Sequence, residues 1–259
     1  MKTVCAMLLL ALFSFSACSS GSETDTTMET PDAPEQSYTL TPFSPSEAFP
    51  AASIQGVEFQ NGTFTYDISG YELGAQTADA GSKMCANSGQ GQHIHLIIDN
   101  EPYSAQYTPT FSYEIPDGEH HMLTFLSRSY HESVKNPAAM KAWVIQVEGN
   151  SITEKKDITE PMLFYSRPKG TYVGSDTEKV MLDFYVLNAT LGSSYKVKAD
   201  INGETYMIDT WQPYYIQGLP MGENTIELTL VDGNGHAVDA PLNPVSRTFT
   251  LAPDPAEAQ

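Results

Sequence analysis

Two histidines one residue apart, His93 and His95, open the segment HIHLIID, and a third, His131, follows in SYHES beside Glu132. The stretch before the pair brings Met84 and Cys85. Neutral imidazoles with a carboxylate suit zinc, and imidazoles with a thioether or thiolate suit copper. An H-x-H pair on a strand joined by a loop histidine places three nitrogens around one ion. The expected ligand set is therefore His93, His95, His131 and Glu132, with Met84 and Cys85 in reserve. Catalysis is the weaker expectation. Ser127, Ser129 and Ser133 flank His131, but a nucleophile needs a base within hydrogen-bond reach. Sequence neighbours point apart, and no nucleophile-elbow glycines surround these serines. The chain is read as a non-enzymatic binding protein, with a hydrolase third in rank.

The elements that must position these residues are visible because the chain repeats itself. HIHLIIDNEPYSAQYTPTFSYEIPDGEHHMLTFL from His93 parallels KVKADINGETYMIDTWQPYYIQGLPMGENTIELTL from Lys196. What both copies share is fold; what one adds is a candidate for function. Val197, Ala199 and Ile201 match Ile94, Leu96 and Ile98, so these face a core. Lys196 and Lys198 then match His93 and His95. Lysines are rarely buried, so the histidine pair belongs on the outer face of its strand, about 7 Å apart as i, i+2 neighbours. On the later strand His121, Leu123 and Phe125 face outward with Ile97. This outer face, with Arg128, is either packed on another part of the chain or offered to a protein or small ligand. Antiparallel pairing of the two strands brings the His93 end beside the loop holding His131, and leaves His120 and His121 at the other end.

Strand-length runs with period-two alternation, such as Phe64, Tyr66 and Ile68, recur between turn signals, and no segment sustains helical periodicity. The expected fold is all-β: two tandem sandwiches from an internal duplication. The turn chemistry, with D-G-N-G at 232–235, resembles the Ig-like and fibronectin-III-like modules of bacterial surface lipoproteins, and that resemblance implies no activity. The expected organisation is a signal at 1–17, a lipidated Cys18 with a disordered tether at 18–50, and a first module at 51–149. A linker at 150–160, a second module at 161–252 and a tail at 253–259 complete it.

The opening MKTVCAMLLLALFSFSACSS has one lysine, an apolar run and small residues before Cys18, too short to span a membrane. It resembles the lipobox of bacterial lipoproteins, which implies cleavage before Cys18, lipidation there and, with Ser19 following, an outer-membrane address. A formal charge of −19 over 259 residues repels nucleic acid and anionic headgroups, so acyl chains must anchor the protein. Arg128 with Lys135, and Arg167 with Lys169 in SRPKG, are rare basic spots that can hold a phosphate or carboxylate, although such residues are more often loop salt bridges. The runner-up function is an accessory, adhesin-like protein that uses the outer face of the first module as an interface.

Overall fold

A computed structural model of the chain describes residues 38–256, and Cys18 and the signal sequence lie outside them. The first strand, β1 (Thr39–Pro42), precedes both modules. Module one holds β2 (Ser53–Gln60), β3 (Thr63–Ser69), β4 (His93–Ile98), β5 (Ser104–Gln106), β6 (Thr110–Ser112), β7 (Gly118–Ser127), β8 (Met140–Glu148) and β9 (Ser151–Asp157). Module two holds β10 (Met162–Arg167), β11 (Gly170–Val173), β12 (Val180–Leu187), β13 (Tyr195–Ile201), β14 (Glu204–Ile208), β15 (Tyr214–Gln217), β16 (Gly222–Asp232) and β17 (Val245–Ala252). The expected all-β pair of sandwiches is what forms. In module one β2-β3-β6 faces β5-β4-β7-β8-β9, and in module two β1-β15-β12-β10 faces β11-β17-β16-β13-β14.

Local chemistry explains the hairpins. Asn61-Gly62 joins β2 to β3 and Asn202-Gly203 joins β13 to β14, each pair at positive φ. Two-residue turns of that kind match the twist of the strands they connect. Alternation supplies the cores: Phe64 and Tyr66 of β3 pack with Ile94, Leu96 and Ile98 of β4, while Leu182 and Phe184 pack with Val197 and Ala199. The duplication holds at the level of register, since Ile98 faces Met122 across β4–β7 as Ile201 faces Ile226 across β13–β16.

Two boundaries differ from the sequence reading. The region assigned to a disordered tether contributes β1, which pairs antiparallel with β15 of module two. Tyr38 and Leu40 alternate into that module's core, a short period-two signal hidden by the Ser/Thr/Pro composition around it. The proposed linker at 150–160 is mostly β9, hydrogen-bonded to β8 in module one. Its polar composition reflects an exposed edge, where charges such as Glu154 and Lys156 discourage pairing with another chain.

The outer faces of the two modules close on each other. Ile97, Leu123 and Phe125 of module one form one apolar cluster with Met162, Phe164 and Tyr185 of module two. Both faces of β4 and of β10 are thereby buried along their whole length. Of the two fates expected for the module-one face, packing within the chain is the one realised. The binding surface expected at Ile97, Leu123 and Phe125 is therefore internal. Polar groups register the contact. Asp183 on β12 accepts from the Ser133 N–H at 3.0 Å and from Lys135 Nζ at 2.6 Å. The Asn100 side chain accepts from the Tyr165 N–H and donates to Leu163 O, both at 2.8 Å, which satisfies the free edge of β10 as a partner strand would.

Residues after β1 cross from module two to module one as a strap. Lys83 Nζ donates to Ser44 O at 3.2 Å and Pro45 O at 2.8 Å, and Arg128 donates to Glu47 O at 2.6 Å. Phe43 stacks on Tyr215 with ring centroids 4.3 Å apart.

Candidate metal centre

The side chains of His93 and His95 leave β4 on its outer face, the face shared with module two. β7 ends beside them, with His93 opposite Ser127 and His95 opposite Phe125. The chain then turns sharply. The His131 N–H donates to Arg128 O at 2.8 Å, the Arg128 N–H donates to Glu132 O at 2.9 Å, and Ser127 bridges Ser133. At the tip His131 adopts φ +70°, a region costly for a residue with a Cβ and held only where its surroundings demand it. That conformation returns its imidazole to the strand.

The three rings converge on one point. His93 Nε2 lies 2.8 Å from His95 Nε2 and 3.0 Å from His131 Nδ1, and one ring nitrogen from each histidine falls within 4.8 Å of the other two. Tetrahedral zinc with Zn–N bonds of about 2.0–2.1 Å separates its nitrogens by roughly 3.3 Å, so small ring adjustments suffice. The tautomer of His93 follows from its other nitrogen, which lies 2.8 Å from Gly91 O. A carbonyl only accepts, so Nδ1 carries the proton and Nε2 presents a lone pair to the centre. A hydrogen bond of this kind is how ligating histidines are oriented.

All three imidazoles are neutral at pH 7. Burial drives His93 down to about 4, with Arg167 and Lys169 adding to the effect. His95 and His131 are also held well below the ordinary histidine value, chiefly by burial, then for His95 by the neighbouring imidazoles and for His131 by Arg167, with the remaining charges adding to both. Tyr103 forms the floor. Its ring lies flat on His95 at 3.6 Å between centroids and 11° between planes, and its hydroxyl is 3.3 Å from His131 Nδ1. Tyr107 packs on His93 at 4.9 Å. His131, Tyr107 and Lys169 are the partly exposed members, so they line the way in.

One feature opposes ligation. His95 Nδ1 is buried with no partner among the described residues. Binding through Nε2 moves the proton to Nδ1, at a cost of about 1–3 kcal/mol. Structural zinc in small peptides binds with apparent energies of about 10–16 kcal/mol, so the cost reduces affinity without preventing binding.

The structure brings together His93, His95 and His131 as expected, and keeps His120 apart on Asp99 Oδ2, 2.6 Å away. It removes the rest of the expected set. Glu132 turns from the centre to bond Ser46 and to lie 3.6 Å from Arg128. It follows His131 directly, and adjacent side chains diverge. Met84 is solvent-exposed and meets Lys179 at 3.8 Å. Cys85 packs with Phe43, Tyr130 and Met181, and burial pushes its thiol up to about 12, unsuited to a thiolate ligand. Arg128 is a buried clamp on the strap and on Ser133 O, not a docking residue. His121 is only partly buried, beyond the apolar contact. Tyr103 lies outside the expected set: a tyrosine carries no ligand signal in the sequence, and its stacking partner His95 exists in the first copy alone.

No protein-family model matches this sequence, and no curated protein does. Among solved structures, the chain is similar to the fibronectin(III)-like modules of Clostridium thermocellum CbhA, at 17% identity and TM-score 0.29 over 36% of this chain and 99% of that one. It is also similar to a Ca2+-stabilized adhesin with which an Antarctic bacterium binds ice, at 13% identity and TM-score 0.24. That match covers 84% of this chain and about half, 48%, of the adhesin chain. Domains 4 and 5 of the S-layer protein SbsC match at 12% identity and TM-score 0.22, over 83% of this chain and 97% of theirs.

Proposed function

We propose that the protein is a metal-binding component of the cell envelope, holding one transition-metal ion at His93, His95 and His131 between its two modules. The observation that carries this reading is the convergence of three neutral imidazole nitrogens on one buried point. With Met84 and Cys85 outside the set, the donors are nitrogen alone. That favours zinc, or copper in its divalent state, over thiol-selecting ions. Three protein ligands leave an open position, the arrangement of a site that exchanges or presents its ion.

The test is metal uptake with its linked stabilisation. Zinc or copper at a hundredfold excess over its dissociation constant should add about 2.7 kcal/mol, or roughly 5–10 °C in Tm for a domain pair of this size. His93→Gln should abolish the shift while circular dichroism stays β-rich. Identical melting with zinc, copper and chelator sinks the reading.

We further propose that a lipid anchor at Cys18 holds the protein in the outer membrane. Among the described residues no helix is long and apolar enough to cross a membrane. Cys18→Ser should move the protein from the membrane to the soluble fraction, and retention in the membrane fraction would refute the anchor. A second reading, an accessory adhesin-like protein, draws on the tandem-sandwich architecture. The module-one face first considered for it is internal, so its partner surface would lie elsewhere.

A further inference from the structure

We infer that the metal centre is completed by closure: module two and the strap hold His131 in place, so metal binding and the docking of the two modules are coupled. The inference rests on the metal-binding reading. All three ligands belong to module one, but they are held differently. His93 and His95 sit on β4, which pairs with β5 and β7 of the same module. His131 stands at the tip of a turn whose fixings lie largely outside that module. Tyr130, just before it, is fully buried with Phe43 of the strap and with Met181 and Tyr215 of module two. Glu132, just after it, accepts from the hydroxyl of the strap residue Ser46. The Ser133 N–H donates to one oxygen of Asp183 in module two at 3.0 Å, and Lys135 donates to the other at 2.6 Å. Arg128, at the start of the turn, donates to Glu47 O of the strap at 2.6 Å. Module one anchors the turn chiefly at Ser129, whose N–H donates to the Thr77 hydroxyl at 2.9 Å and whose own hydroxyl accepts from the Thr77 N–H at 3.2 Å.

The left-handed backbone of His131, at φ +70°, persists only where the surroundings over-determine it. Here those surroundings include the strap and module two on both sides of the residue. Released from them, the turn relaxes and withdraws one imidazole of the three, leaving only the i, i+2 pair on β4. Asp183 and Ser46 are therefore positioning residues for a centre that neither of them touches. Asp183 is fully buried and gives both of its oxygens to the segment that follows His131. The fraction of molecules that are closed then sets the apparent affinity for the ion. Linkage makes the effect mutual: docking that tightens the metal is itself tightened by the metal, by the same factor.

The experiment is a zinc titration of the purified protein against a competing chelator. Asp183→Ala, and Lys83→Met, which frees the strap at Ser44 and Pro45, should each weaken zinc by about tenfold, within the range usual for coupled sites. Ile226→Ala, a cavity in the module-two core, destabilises the fold without touching the turn or the strap and should leave the zinc affinity of the folded protein unchanged. Wild-type protein supplies a test that needs no variant. The Tyr165 N–H is bonded across the module contact to Asn100. Without metal it should exchange with solvent faster than the Ala199 amide of the module-two core, and saturation with zinc should slow it by about the same tenfold factor. Equal zinc affinity in wild type and in the folded Asp183→Ala and Lys83→Met variants overturns the coupling and leaves the metal site standing. An equal loss in Ile226→Ala overturns it too, because the effect would then be general destabilisation. Tyr165 exchange at the core rate, or at a rate that zinc leaves unchanged, overturns it even if neither variant folds. Absence of zinc uptake by wild type overturns both readings.

Discussion

Acidifying the metal-free protein from pH 7 to pH 4 should cost about 3 kcal/mol of stability through His93 alone. The unfolded chain protonates this residue near 6.5, whereas the folded chain resists until about 4, and each pH unit between them is worth about 1.4 kcal/mol. The folded value is the depressed one, so the contribution is complete above pH 6.5. It is lost as pH falls through that window and changes no further below pH 4. His95 and His131 are depressed in the same direction and deepen the loss. Glu132 opposes it, because burial raises its carboxyl and a proton there is better tolerated folded than unfolded. Arg167 and Lys169 repel each new imidazolium. Urea denaturation at pH 7, 5.5 and 4 measures the effect. His93→Gln should flatten the profile, and an equally steep one in that variant would mean that other groups carry it.

Phe125→Ala should destabilise the protein by about 3–5 kcal/mol, the usual cost of removing a buried phenylalanine. Phe125 is fully buried between the modules, stacked on Tyr185 at 5.4 Å and tilted against His95 at 5.0 Å. The cavity would touch both the apolar contact and the wall behind a ligand, so metal affinity should fall along with stability. A loss under about 1 kcal/mol in guanidinium denaturation would mean that the two faces do not hold each other. Were this face a docking surface for another protein, the same substitution would leave the isolated chain nearly unaffected.

The duplication made much of the centre legible. Lys196 and Lys198 revealed which way His93 and His95 point, and antiparallel pairing selected His131 over His120 and His121. Pattern alone left open what covers that outward face, because a strand buried on both sides and one exposed on a face can carry the same residues. Module two settled the matter with Met162, Phe164 and Tyr185, residues whose alternation is equally consistent with an exposed sheet. Glu132 misled because proximity in sequence was taken for proximity of side chains. β1 escaped because four residues that add to an existing edge need little hydrophobic pattern of their own. Tyr103, Arg167 and Lys169 come from separate modules, and only the closing of one sandwich on the other brings them together.

The strand borrowed by module two has a mechanical consequence. Any pull on the chain ahead of Thr39 is delivered first to β15, across the β1–β15 hydrogen bonds, and not to the module that follows next in sequence. Module one is reached next, through the strap at Lys83 and Arg128, the sheet contact that encloses the histidines with its polar bonds, and the short connection from β9 to β10. Load order and sequence order are therefore inverted. A protein tethered at its N-terminus would hang from its C-terminal half, with the histidine centre sheltered behind the part that bears the strain.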